Sequence, residues 1–251
     1  MVKIWRVCLV FLLLGCASSY ASTSSSTPWW KVTDGDQFTG PYVGAELGAN
    51  VTSIHDTNEI VTSLIHGASG SATYTENATG VEGGLFVGYG KRLPYHLYLG
   101  SEVYAMLNSA SATATNNPNT DNPIENPDAS VKYRMLGTFG VNFDPGVFLT
   151  PNTLFYGTAG PTFALFNSVP QTQDTALVGS NNSFTRVLPG ARFGLGIETA
   201  IYRNLNIRGE YDFSVFPEFN DSYYSRSSLG ENNARYYALS NEALLSVVYH
   251  I

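Results

Sequence analysis

From Tyr237 to Ile251 the sequence alternates almost to its last residue. Tyr237, Leu239, Ala243, Leu245, Val247, Tyr249 and Ile251 fall on one row, interrupted only by Asn241. Tyr236, Ala238, Ser240, Glu242, Leu244, Ser246, Val248 and His250 fall on the other. A period of two marks an extended strand, because successive side chains leave opposite faces of the backbone. One face is oily and the other is mixed and carries a carboxylate. Such a strand belongs in a sheet that meets an apolar medium on one side only.

The other end of the chain reads as an address. Lys3 and Arg6 precede an apolar run from Val7 to Leu14, the charged and apolar regions of a secretory signal. The run is too short for the roughly 20 residues of a spanning helix. Ser19-Tyr20-Ala21 offers a cleavage site before Ser22, giving a signal peptide over 1–21. Leu13-Leu14-Gly15-Cys16 competes with it as a lipoprotein signal, in which Cys16 would carry lipid. Both cysteines, Cys8 and Cys16, lie in this leader. Cleavage after Ala21 therefore removes disulfides, thiol catalysis and cysteine-based metal sites together. No later segment is apolar for long enough to form a spanning helix, so the exported chain either is soluble or spans as strands. Residues 22–38 read as a periplasmic linker, with a Trp29-Trp30 pair suited to a membrane interface. With 20 acidic and 13 basic residues the chain is mildly acidic, which argues against general nucleic-acid binding. Residues 39–251 suit one all-β domain.

Alternation recurs along that domain and predicts eight strands. The first, near Tyr42–Val51, turns Val43, Ala45, Leu47, Ala49 and Val51 one way and Tyr42, Gly44, Glu46, Gly48 and Asn50 the other. The second, near Val81–Gly90, sets Leu85, Val87 and Tyr89 against Glu82, Phe86 and Gly88. The third sets Leu97, Leu99, Val103 and Ala105 against Tyr98, Gly100, Glu102 and Tyr104. The fourth, near Val131–Phe143, places Met135, Phe139, Val141 and Phe143 outward and Lys132, Arg134, Thr138 and Asn142 inward, before a turn at Asp144-Pro145-Gly146. The fifth, near Leu154–Phe166, is apolar on both rows, which leaves its facing open, and Pro161 predicts a bulge or local distortion. In the sixth, Phe193, Leu195 and Ile197 oppose Arg192, Gly194 and Glu198. In the seventh, Ile207, Tyr211 and Phe213 oppose Arg208, Glu210 and Asp212. The final strand is the eighth.

Connections after the second, fourth and sixth strands are short. Those after the first, third, fifth and seventh are long and polar: Thr52–Gly80, Asn108–Ser130, Asn167–Arg186 and Pro217–Ala234. Short turns on one rim and long loops on the other are the asymmetry of an outer-membrane barrel. Strand charges fall almost entirely in the row opposite the apolar one, the reverse of a soluble barrel. The predicted fold is therefore all-β, an eight-stranded antiparallel transmembrane β-barrel with a polar, charged interior, short periplasmic turns and four long extracellular loops. Glu46, Glu82, Glu102, Lys132, Arg134, Arg192, Glu198, Arg208, Glu210, Asp212 and Glu242 are the expected interior charge network. Eight strands leave an interior just wide enough for side chains to fill. Buried charges there must pair, so the network is expected to be a polar plug, with a cation-selective path or a salt-bridge gate as its rival.

The stretches Gly40-Pro41-Tyr42-Val43-Gly44-Ala45-Glu46-Leu47-Gly48 and Gly190-Ala191-Arg192-Phe193-Gly194-Leu195-Gly196-Ile197-Glu198 carry a family likeness. The second continues through Asn204-Leu205-Asn206-Ile207-Arg208-Gly209-Glu210-Tyr211. The organisation resembles the eight-stranded outer-membrane barrels of the OmpA/OmpX and opacity-protein type. That resemblance implies a bacterial outer-membrane location, contact with outer-membrane lipid and lipopolysaccharide, and delivery to the barrel-assembly machinery through the C-terminal strand. Tyr249 fits the aromatic ending of such strands, whereas Ile251 departs from it.

Resemblance to opacity-type proteins also implies display of polar loops to a host-surface ligand, a structural or adhesin-like role. Tyr74, Phe184, Tyr223, Tyr224 and Arg226 are the candidate loop contacts, since Tyr and Arg are common binding anchors. A small porin-like channel is the alternative, and an outer-membrane lipid A-modifying enzyme a third. His55, His66, His96 and His250 accompany neither a Gly-x-Ser-x-Gly elbow nor a His-Glu-x-x-His motif, so no catalytic residue, cofactor or metal site is expected.

Overall fold

The computed structural model describes residues 37–60, 70–115, 129–172, 184–225 and 230–251. Its elements are β1 (Gly40–Ile60), β2 (Gly70–Arg92), a 3-10 turn at Pro94–His96, β3 (Leu97–Asn108), β4 (Ser111–Thr115), β5 (Ala129–Thr150), β6 (Thr153–Thr172), β7 (Phe184–Tyr202), β8 (Leu205–Ser225) and β9 (Gly230–His250). The strands form one antiparallel sheet in the order β3-β2-β1-β9-β8-β7-β6-β5-β4. Pairing of β3 with β5 closes it. β4 continues the line of β3 along β5, so the closed barrel has eight staves.

The facings follow the alternation. Leu47, Leu85, Val103, Leu195, Ile207 and Val247 are exposed on the outer wall, and Tyr42, Glu82, Glu102, Arg192, Arg208 and Glu242 are buried inside. The ambiguous fifth strand is settled in β6, where Leu154, Tyr156, Thr158, Thr162, Ala164 and Phe166 face in. Pro161 faces out and causes no bulge. It interrupts the ladder to β5 between Gly140↔Thr162 and Phe143↔Ala159 without shifting the register.

Three expectations are corrected. Asp144-Pro145-Gly146 is not a turn: β5 runs through it to Thr150, Leu99 pairs with Pro145, and the chain reverses at Pro151-Asn152. Ladders on both sides override the local turn chemistry. Second, the long connections are shorter than expected, because most strands continue far beyond the apolar band. Among the described residues these strands are 19 to 23 residues long, β3 and β4 excepted. About 9–11 suffice to span a bilayer. The surplus carries a polar outer face: Ser53 Oγ donates to Asn77 Oδ1 at 2.6 Å, Thr75 Oγ1 and His55 Nδ1 are hydrogen-bonded at 2.9 Å, and His55 stacks on Tyr237 at 4.3 Å.

The third correction concerns β5. A register shift between Met135 and Gly137 reverses its facing. Met135, expected outward, is buried within the barrel, while Lys132 and Arg134, expected inward, lie on the outer row with exposed Ser111 and Thr113. A bulge does this because one extra residue exchanges the two faces. The hitch between β3 and β4 lies beside it. There Asn108 Oδ1 accepts from the Ala110 amide at 2.7 Å, Ser109 Oγ accepts from the Val81 amide at 2.9 Å, and the Met135 amide donates to the Ala110 carbonyl at 3.1 Å. Gly137 permits the approach, since a Cβ there would sit 2.3 Å from the Met106 carbonyl oxygen.

Inside, buried apolar clusters lie at both ends, and a third, of Tyr42, Phe86, Tyr104, Met106, Leu244 and Val248, lies between them. Towards the long connections lie Ile54, Met135, Phe166, Leu188 and Phe216 among small alanines. At the short-turn mouth lie Phe38, Tyr98, Phe148, Leu154 and Tyr156. Phe38, expected in the linker, is 2% exposed and meets Phe148 edge-on at 5.1 Å.

Candidate functional site

Between these apolar ends the interior is organised around two arginines. The first is Arg208 on β8, opposite Glu198 on β7 in the ladder. Its Nε donates to Glu198 Oε2 at 3.1 Å, and its terminal nitrogen donates to Glu102 Oε2 at 2.8 Å across the barrel. The guanidinium lies over the Phe86 ring at 4.6 Å and near those of Tyr156 and Tyr42. Each carboxylate has further donors: Asn206 Nδ2 reaches Glu198 Oε1 at 2.6 Å, Asn142 Nδ2 reaches Glu102 Oε1 at 3.3 Å, and Tyr42 Oη reaches Glu102 Oε2 at 3.3 Å. His250 Nε2 lies 3.1 Å from Glu198 Oε1.

The second is Arg192 on β7, which bonds Asp212 and lies 3.7 Å from both Glu210 and Glu242. Its guanidinium sits 4.4 Å from the Tyr104 ring centroid. Tyr156 donates to Glu210, which links the two clusters. Planar guanidinium groups suit such crowded sites because they spread their charge over a fork of donors and also stack on rings. Glycine makes the room: a Cβ at Gly44 would fall 2.1 Å from the Phe86 ring, and one at Gly194 would fall 1.8 Å from Asp212 Oδ1.

Glu46, Glu82, Glu102, Arg192, Glu198, Arg208, Glu210, Asp212 and Glu242 thus face the interior as their alternation predicts. Asp144, hidden in the mistaken turn, joins them at 3% exposure, and His250 joins at the mouth. Asn142, Asn206, Tyr42 and Tyr156 are essential donors that charge patterning alone does not single out. Carboxylates outnumber arginines in this layer. Asn108 Nδ2 donates to Glu82 Oε2 at 3.2 Å, but Glu82 Oε1, both Asp144 oxygens and both Glu242 oxygens accept no hydrogen bond among the described residues.

Of the candidate loop contacts, Tyr74, Phe184, Tyr223 and Tyr224 occupy strand ladders opposite Asp56, Ser168, Asn232 and Glu231, rather than loops. Arg226 lies outside the described residues, as does His66. His55, His96 and His250 stand apart, on the outer face of β1, in the turn before β3 and in the short-turn mouth. Among the described residues no group of three or more His, Cys, Asp or Glu side chains could hold a metal ion.

A closed antiparallel barrel with an apolar outer wall and a buried ionic interior defines a membrane-spanning β-barrel. Residues 8–250 match the family described as the outer membrane protein beta-barrel domain, and the chain belongs to that family. Comparison with curated proteins found no match. Among solved structures the chain is similar to Neisserial surface protein A at 15% identity and a TM-score of 0.42, covering 85% of this chain and 98% of that one. It is also similar to OprG from Pseudomonas aeruginosa, at 10% identity, a TM-score of 0.45 and coverage of 85% and 97%. For Ail, the attachment invasion locus protein of Yersinia pestis, the values are 10%, 0.34, and 82% and 99%.

Proposed function

We propose that this outer-membrane barrel is a closed scaffold whose work is done on its exterior, by the extended strand ends and the segments that join them. One observation carries this: the ionic layer lies between apolar clusters, with Phe166, Leu188 and Phe216 towards the long connections and Phe38, Phe148 and Leu154 at the short-turn mouth. Such an interior holds the barrel rigid rather than passing solute. The polar ladders above the apolar band then present ligand-facing surface, in an adhesin-like role. The test is adherence of a Gram-negative host producing the full chain at its surface. Wild type is expected to promote attachment to matrix-coated plates. A variant with residues 61–69 and 173–183 replaced by Gly-Ser of equal length is expected to lose attachment yet keep the heat-modifiable gel band of a folded barrel. Correctly assembled wild type that gives no attachment overturns the display role.

A second function, a small cation-conducting pore, draws support from the carboxylate oxygens of Glu82, Asp144 and Glu242 that accept no hydrogen bond among the described residues. It requires water to pass both apolar ends, which steady ion conductance would demonstrate.

A further inference from the structure

The bulge in β5 does more than rearrange the core. It places two cations on the membrane-facing wall. Outward from the short-turn rim, the outer row of β5 reads Leu149, Val147, Pro145, Phe143, Val141, Phe139 and Leu136, all exposed, and then Arg134 and Lys132. At about 3.3 Å per residue and roughly 40° of tilt, Leu149 to Leu136 rises about 30–35 Å along the barrel axis. The apolar band of such barrels is about 25 Å tall. Arg134 therefore stands just past the hydrocarbon edge on the long-connection side, where the outer leaflet's headgroups lie.

The surroundings suit an anion. Arg134 lies between Ser111 on β4 and Asn167 on β6, and Lys132 between Thr113 and Val169. None of these register neighbours is acidic. Ser111, Thr113 and Arg134 are exposed, and Asn167 is held by its bond to Thr185 Oγ1 at 3.0 Å. On β2 and β1, the next staves beyond β4, the outer row carries Thr75, Asn77, Ser53 and His55.

We propose that Arg134 and Lys132, with the hydroxyls of Ser111 and Thr113, form a docking site for the phosphate of an anionic outer-leaflet glycolipid. Its acyl chains would lie along the apolar row below. The guanidinium fork matches phosphate oxygens, and the lysine adds a point charge. Each basic residue near an anionic lipid surface contributes on the order of a fivefold gain in affinity, so the pair together contribute roughly 30-fold.

The test uses the refolded protein in neutral detergent micelles, titrated with bisphosphorylated lipid A, with fully dephosphorylated lipid A and with inorganic phosphate. Bound molecules are counted by native mass spectrometry. Wild type is expected to prefer bisphosphorylated lipid A over the dephosphorylated form by roughly 30-fold. Lys132→Gln/Arg134→Gln should abolish the preference, the exchange Lys132→Arg/Arg134→Lys should keep most of it, and Arg203→Gln at the opposite rim should leave it unchanged. Equal binding of both lipids, an unaffected glutamine pair or displacement by inorganic phosphate at equal concentration would overturn the lipid site.

Discussion

Arg208→Met is the most informative change to the interior. Methionine keeps the apolar stem that packs over Phe86 and removes the charge that holds Glu198 and Glu102 at 3.1 and 2.8 Å. Both carboxylates are at most 4% exposed, so water cannot readily replace the guanidinium. Removing one partner of a buried ion pair costs about 3–5 kcal/mol. A loss of about 4 kcal/mol is close to three powers of ten in the ratio of folded to unfolded protein. Removing the stranded charges as well, in Arg208→Met/Glu198→Gln/Glu102→Gln, should recover most of the loss, because both partners of a buried pair can often be replaced at little net cost. The assay is reversible urea unfolding in lipid vesicles, followed by tyrosine fluorescence and by heat-modifiable gel mobility. A loss below about 1 kcal/mol for the single variant would refute the pairing. A triple variant as unstable as the single would show that stranded charge is not the cause.

Two further predictions probe the packing and the register. Gly194→Ala should destabilise the barrel by about 1–3 kcal/mol in the same unfolding assay, because its methyl meets Asp212 where Arg192 holds it. Gly157→Ala on the outer wall, where the nearest atom to an added Cβ is 3.8 Å away, should change stability by less than about 0.5 kcal/mol. For the β5 bulge, Arg134→Cys should react with a water-soluble maleimide on intact cells and Met135→Cys should not. The opposite pattern would restore the inward register of Arg134.

Most of the barrel was legible because its outer face meets lipid. Wherever lipid lies on one side and a charged interior on the other, as along Val43–Val51 or Leu205–Val215, alternation states both the strand and its facing. The signal fades where the outer face leaves the membrane. Past Thr52 and before Thr79 the outer row turns to Ser, His, Thr and Asn, so paired strands there, Tyr74 among them, resemble loops in sequence. It also fails where a single residue is inserted. Met135-Leu136-Gly137 offered a trace of the bulge, adjacent apolar residues and then a glycine, but only the β3–β4 hitch opposite it shows why the slip occurs there. Asp144 is not legible as an interior residue because Asp-Pro-Gly speaks for a turn locally, while pairing with Gly100 on β3 holds it extended. The interior charges were legible as a set. Their division between Arg192 and Arg208 depends on closure of the barrel, which brings Glu102 on β3 to Arg208 on β8.

The central claim is that the ionic interior is closed at both ends. Single-channel recording of the refolded protein in a planar bilayer tests it most directly, with folding checked on the same sample by gel mobility. A closed scaffold predicts no steady current in molar potassium chloride at moderate voltage. Reproducible conductance steps that diminish in Glu82→Gln/Glu242→Gln would contradict it and show a water path past the carboxylates.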